Sequence, residues 1–313
     1  MVCGTLTITE KGWCELLSLD FYWRMIRPHT LSASFTPVFI GTAFAMQQSG
    51  HLRDLLLVAM LLATVLIQIA ANLFNEYFDY RGGLDTKDSI GIGGTIVHDG
   101  ASPGFVLRTA FICCLIAMVL GIYLAWSTSW WLLVVGAICM VIAFIYAGGP
   151  MPLSRTPFGE IFAGGTMGAG ITCIAYFIQM NHMTPQVLWV ALPPFILIGL
   201  ILTANNLRDR LGDQKGGRRT LVILLGHRKS VLFMFGGLML AYLWTFILLG
   251  IGHKWVILLP WLSVWRVRKV IGGFAKENQS PQEMMPAMAQ MSKLNRDYGT
   301  YLALALVLEF FIP

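Results

Sequence analysis

Apolar residues come in long runs along this chain, without the one-face spacing of a surface helix. Leu55–Ala71 and Val231–Ile251 are the clearest, and similar runs recur from end to end. A helix needs about 20 mainly apolar residues to cross hydrocarbon. Read with their polar breaks, the runs predict nine spans, at approximately 29–48, 54–76, 104–126, 129–147, 159–180, 185–206, 230–251, 254–267 and 297–313. The eighth is short and the ninth carries Glu309. Residues 1–28 read as a polar, cytoplasmic N-terminal segment. Glu10, Lys11, Glu15, Asp20, Arg24 and Arg27 leave no continuous apolar core there, so no cleavable leader is expected.

The positive charges test that count. With the N-terminus inside, the inner segments are the N-terminal tail and the loops after the second, fourth, sixth and eighth spans. Of the 22 Lys and Arg, all but Arg53 and Lys254 fall in those segments or at their helix ends. Positive charge is retained on the cytoplasmic side, and a wrong span count would scramble the alternation. The expected topology is N-in and C-out in a cell membrane, with the lipid bilayer as a partner. Composition agrees: 56% of residues are hydrophobic and 12% charged, where a soluble domain carries about 25% charged residues. The net charge of +6 follows from this topology and is not read as a nucleic-acid footprint. The six cysteines form no CxxC pair, and four lie inside apolar runs, so they are expected as packing residues. Trp126, Trp130 and Trp131 bracket the outer interface as belt residues do.

Two inner loops, 77–103 and 207–229, are long and crowded with acids, bases and glycines. Each follows a similar span end. The second span closes on Asn75-Glu76-Tyr-Phe-Asp79 with Asp85 six residues on, and the sixth on Asn205-Asn206-Leu-Arg208-Asp209 with Asp213 four residues on. Setting Asn75 on Asn205 puts Asp79 on Asp209, an offset of 130 residues. The fold class is therefore an all-α integral membrane protein: nine transmembrane helices, two four-helix repeats plus one, around a central cavity opening near the cytoplasmic face. Residues 29–313 form a single transmembrane domain. Parallel repeats place a shared site at their interface.

The spacing specifies chemistry. Residues four apart share a helix face, so Asn75 with Asp79, Asn205 with Asp209, and Asp209 with Asp213 each point one way. Carboxylates at a membrane helix end are costly unless they face a polar cavity. Six oxygen-bearing side chains, Asn75, Asp79, Asp85, Asn205, Asp209 and Asp213, are the candidate metal ligands. Hard oxygen donors select Mg²⁺, which shares its coordination with substrate phosphates. Lys87, Arg208, Lys215, Arg218 and Arg219 supply further positive charge for a diphosphate. Transport is the competing class, but it calls for broken helices and acids near the bilayer midplane, whereas these acids cluster at cytoplasmic helix ends beside Lys and Arg.

Four ordered stretches resemble the UbiA superfamily of intramembrane prenyltransferases, over about residues 20–313. They are Arg27-Pro28 through Thr30-Leu31 with Ser34, Pro37 and Gly41; the first Asn/Asp motif; Tyr146-Ala-Gly-Gly-Pro150-Met-Pro152; and the second motif through Gly217-Arg218-Arg219-Thr220-Leu221. The match is closest to the menaquinone-biosynthesis branch, which prenylates 1,4-dihydroxy-2-naphthoate. The resemblance implies transfer of a polyprenyl group from its diphosphate to that ring with loss of CO₂, in a site that excludes water. It implies catalytic roles for Asp79, Asp209 and Tyr146, and diphosphate or naphthoate binding by Arg27 and Arg155 beside the cations above. The glycines of the 77–103 loop, Gly82-Gly83 and Gly91-Ile-Gly93-Gly94, suggest a mobile lid over the site, where His98 and Asp99 are weaker contacts for the naphthoate. Glu76 departs from the branch, which carries Asp after the motif's Asn, so ligation by Glu76 is in doubt. A 4-hydroxybenzoate or homogentisate prenyltransferase is the runner-up, and a non-catalytic prenyl-binding scaffold the more distant reading.

Overall fold

A computed structural model describes residues 19–83, 94–148 and 152–312, and every regular element among them is helical. The helices are α1 (Leu19–Ile26), α2 (Ser32–Ser49), α3 (Asp54–Arg81), α4 (Thr95–His98), α5 (Pro103–Ser127), α6 (Trp131–Ala147), α7 (Gly159–Met180), α8 (Gln186–Lys215), α9 (Leu221–Leu225), α10 (His227–Gly250), α11 (Trp265–Gly273) and α12 (Pro281–Phe311). Five of them, α3, α5, α7, α8 and α10, are long and apolar enough to cross a membrane. Leu55, Val119, Leu232 and Trp255 stand exposed on the outside of the bundle, as an apolar solvent requires.

Two helices run past their expected ends. Leu- and Ala-rich α3 contains neither Gly nor Pro and continues to Arg81, and α8 continues to Lys215. The helical ladder continues through both polar turns, so Asn75, Asp79, Asn205, Asp209 and Asp213 all stay helical. The last helix departs more from expectation, beginning at Pro281 and not near 297. Its start is a capping box, in which Ser280 Oγ accepts from the Glu283 N–H while the Glu283 carboxylate accepts from the Ser280 N–H. Its first half is only partly apolar, and it buries Met284, Met288 and Met291 on one face. The eighth expected span is a 3₁₀ segment, Trp255–Ser263, followed by α11.

Close backbone contact fixes how α7 sits. Its middle, Gly164–Gly170, is π-helical. A Cβ on Gly164 would come within 2.3 Å of the Phe195 carbonyl, and one on Gly168 within 2.5 Å of the Pro194 carbonyl. Only glycine allows α7 to press onto α8 at its Pro193-Pro194 step. Gly41 of α2 meets α7 in the same way, with a virtual Cβ 2.2 Å from the Thr172 carbonyl. The largest apolar core gathers α8, α10, α12 and the α2 face, from Phe44 through Leu238 to Leu302. A second core joins α1, α3 and α5 around Phe21, Phe74 and Val106.

Arg53 and Lys254, the two exceptions to the charge split, are both engaged by helix-end carbonyls. Arg53 donates to Ile178 O at 3.2 Å and Ser127 O at 3.0 Å. Lys254 Nζ donates to Glu309 O at 3.2 Å and to Ile312 O. Cations are favoured at such termini.

Candidate active site

A cavity of about 1040 Å³ is enclosed mainly by α3, α6, α7 and α8. One stripe of α3 faces it, from Met60 and Thr64 through Ile67 and Ala71 to Asn75 and Asp79. That i, i+3/i+4 progression turns apolar at one end and acidic at the other. The facing stripe of α8 runs from Ile198 and Ile201 to Asn205, Asp209 and Asp213. Thus the two motifs do converge on one space, as the repeat implied.

An arginine ties them together. Gly217, at φ 74°, turns the chain after α8 and aims Arg218 back across the cavity. Arg218 Nη2 donates to Asp79 Oδ1 at 2.6 Å, and its Nη1 lies 3.2 Å from Asp213 Oδ1. Burial alone favours the neutral guanidine, but the Asp79 and Asp213 carboxylates outweigh it and hold the Arg218 pKa above its ordinary value. Asp209 is held by its neighbour: Arg208 Nε donates to Asp209 Oδ1 at 2.7 Å, while Arg208 Nη1 lies 2.9 Å from Met288 Sδ of α12. Lys215 is exposed at the rim and lines the same space.

The donor set suits a hard cation. Asn205 Oδ1 and Asp213 Oδ2 are buried without a hydrogen-bond partner, and buried oxygens of this kind are normally satisfied. Among the described residues no three His, Cys, Asp or Glu side chains are placed to hold an ion by themselves. The acids are engaged by Arg208 and Arg218, and the Asn75 and Asn205 amides line the same space.

Arg27 also lines the cavity, in the left-handed region at φ 54°. Its Nη2 donates to Glu76 Oε2 at 3.1 Å. Glu76 is 1% exposed, and its other oxygen accepts from Thr95 Oγ1 at 2.6 Å and Ile96 N at 3.1 Å. Glu76 is therefore a tether joining the Arg27 turn and α4 to α3. Tyr146 lines the cavity at the end of α6, and His98 of α4 does so too, whereas Asp99 pairs with Arg24 at 2.9 Å. Arg155 and Arg219 are not among the lining residues. They meet each other, the Arg219 N–H donating to Arg155 O at 2.9 Å, with the Arg155 guanidinium beside Gly82. The side chain of Arg219 is exposed because the coil that aims Arg218 inward turns its neighbour outward. Asp85 and Lys87, with most of the expected lid, lie outside the described residues.

Sequence reasoning missed a further polar pair beside the cavity. Asn206 Nδ2 donates to Glu160 Oε1 at 2.9 Å, both residues being buried. The available signal was Glu160 itself, an ionisable residue at the start of an otherwise apolar span.

The UbiA prenyltransferase family model matches residues 34–294. A Bacillus subtilis 1,4-dihydroxy-2-naphthoate octaprenyltransferase is 41% identical over 92% of this chain and 93% of its own length. A Haemophilus influenzae protein of the same name is 28% identical over 88% of this chain and 92% of its own. Among solved structures, a UbiA homolog from Archaeoglobus fulgidus bound to GPP and Mg²⁺ superposes with a TM-score of 0.63 at 14% identity, covering 92% of this chain and 99% of that one. At that identity the likeness speaks for the fold.

Proposed function

The chain belongs to the UbiA prenyltransferase family, and from that membership we propose that it transfers a polyprenyl group from polyprenyl diphosphate to 1,4-dihydroxy-2-naphthoate, releasing diphosphate and CO₂ and leaving a demethylmenaquinol. The observation that carries the reading is one cavity with two ends. Asp79, Asp209, Asp213 and their arginines crowd one end, and an apolar stripe reaching back to Met60 forms the rest. A polyprenyl diphosphate has the same division along its length.

In this reading Arg218, Arg208 and Lys215 grip the diphosphate, with Arg27 at the edge of the same space. Asn75, Asp79, Asn205, Asp209 and Asp213, joined by Asp85, are the side chains that would hold Mg²⁺. When bound, Mg²⁺ supplies Lewis-acid neutralisation of the leaving oxygen. The allylic C–O bond breaks with its electron pair leaving on diphosphate. The ring carbon that bears the carboxylate forms the new C–C bond, and CO₂ departs, leaving its bonding pair to the ring. Guanidinium groups fixed in place before ionisation stabilise the departing charge without reorganising. Walls such as Ile67, Ala71, Ala143 and Ile201 keep water from capturing the cation. Tyr146 stands at the boundary between the polar and apolar ends and orients the reacting allylic unit. The proposed membrane arrangement has nine spans, N-terminus inside and C-terminus outside, with the polar end of the cavity on the inner side, as the Lys/Arg split supports.

The test is an assay in membranes with dihydroxynaphthoate, a polyprenyl diphosphate and Mg²⁺, following release of CO₂. Asp79→Ala and Asp209→Ala should each abolish turnover. Prenylation of 4-hydroxybenzoate without CO₂ release would overturn the naphthoate assignment, and full activity in either Ala variant would overturn the metal–diphosphate site.

A further inference from the structure

The polar end of the cavity has a second face, built by α7 and α8, that diphosphate binding leaves unused. Glu160 lies in the first turn of α7 and is 5% exposed; its Oε1 accepts from Asn206 Nδ2 at 2.9 Å, and its Oε2 has no partner. A buried carboxylate is expensive when it is incompletely paired, and a neutral residue would serve helix packing equally well. The pair is held firmly. A Cβ on Gly199 of α8 would meet the Glu160 carbonyl at 3.0 Å, so the two backbones are in contact where the side chains join. The π-helical stretch Gly164–Gly170 begins one turn later, and its Thr166 and Met167 line the cavity. Such π segments concentrate at functional sites.

The chemistry of this face differs from that of the arginine face. Asn206 lines the cavity. One of its amide N–H groups is donated to Glu160, which orients the group and leaves its oxygen as an acceptor and its second N–H as a donor. Beside it, Ala163, Ile198, Met167, Ile201 and Leu202 pack together and also line the cavity. An apolar floor with one neutral amide at its edge and no cation suits a flat ring carrying a hydroxyl better than a diphosphate, which calls for cations.

We infer that this face is the subsite for the aromatic acceptor. Its ring lies on the Ala163–Met167–Ile198 floor, a ring hydroxyl donates to Asn206 Oδ1, and Glu160 is the positioning residue that fixes the Asn206 amide. The inference rests on the aromatic-prenylation reading above and adds where the acceptor sits and what orients it.

The experiment measures KM separately for dihydroxynaphthoate and for polyprenyl diphosphate, in membranes, for the wild type, Glu160→Ala, Glu160→Gln and Met167→Ala. Glu160→Ala should raise the acceptor KM up to roughly tenfold, the scale of one lost hydrogen bond between the ring hydroxyl and the Asn206 amide, while the diphosphate KM stays within about twofold. Glu160→Gln should recover most of that loss, because its side-chain carbonyl still accepts from Asn206. Met167→Ala alters the floor and not the pair, and should likewise raise the acceptor KM alone; it decides the matter if Glu160→Ala does not accumulate. An unchanged acceptor KM in these variants, or an equal rise for both substrates, overturns the subsite. A wild type that instead prenylates 4-hydroxybenzoate overturns the naphthoate reading, and the same variants are then scored on that acceptor's KM.

Discussion

Glu76 and Asp79 lie less than one helical turn apart and do different work. Asp79 faces the cavity and meets Arg218 at 2.6 Å. Glu76 is turned into the protein, where it accepts from Arg27, Thr95 and the Ile96 N–H. Removing it leaves Arg27 partly buried without its counter-charge. Glu76→Ala should therefore cost about 3–5 kcal/mol, seen as a lowered Tm in detergent, and Glu76→Gln less, since the Gln oxygen retains an acceptor for Thr95 and Ile96. A Tm unchanged in Glu76→Ala would contradict the tether. The same scale shows what a sequence can and cannot disclose. Asn75 with Asp79 and Asn205 with Asp209 were readable because helical period assigns them a common face. Arg218 and Arg219 were equivalent on paper, because no period operates in the coil after Gly217. Only the folded chain separates the one that bridges Asp79 and Asp213 from the one that faces outward.

Among the elements, α7 depends most on what its residues lack. Its glycines let it touch α8, and one substitution at a contact should be felt where its neighbour is not. Gly168→Ala puts a methyl 2.5 Å from the Pro194 carbonyl, whereas a Cβ on Gly165 meets nothing closer than Phe195 Cε2 at 3.8 Å. Gly168→Ala should destabilise by about 1–3 kcal/mol and Gly165→Ala by far less, as thermal unfolding in detergent can compare. Equal effects would mean that the crossing is looser than described. The apolar spans were legible because hydropathy marks them directly. The early start of α12 was not, because its first half mixes Glu283, Gln290 and Lys293 with methionines and carries too little hydropathy to register. Its signal was local, in the Ser280-x-x-Glu283 box followed by a buried methionine face.

For the whole molecule, orientation is the property that charge predicts. Single cysteines placed at exposed positions in a background free of other cysteines provide the check. His51→Cys, between α2 and α3, should react with a membrane-impermeant maleimide from outside the cell, and Gln214→Cys, at the end of α8, only after the inner face is opened. The reverse pattern would invert the topology. The lengths of three helices carry a consequence of their own. α3, α8 and α12 have 28, 30 and 31 residues, and at 1.5 Å per residue they measure about 42, 45 and 46 Å. Hydrocarbon is about 30 Å thick. All three contribute their polar ends, through Asp79, Lys215 and Pro281, to the same mouth of the cavity. On the proposed function the bundle is a fitted sleeve for an amphiphile, with the diphosphate held at the polar mouth and the polyprenyl tail along the apolar stripe between the helices.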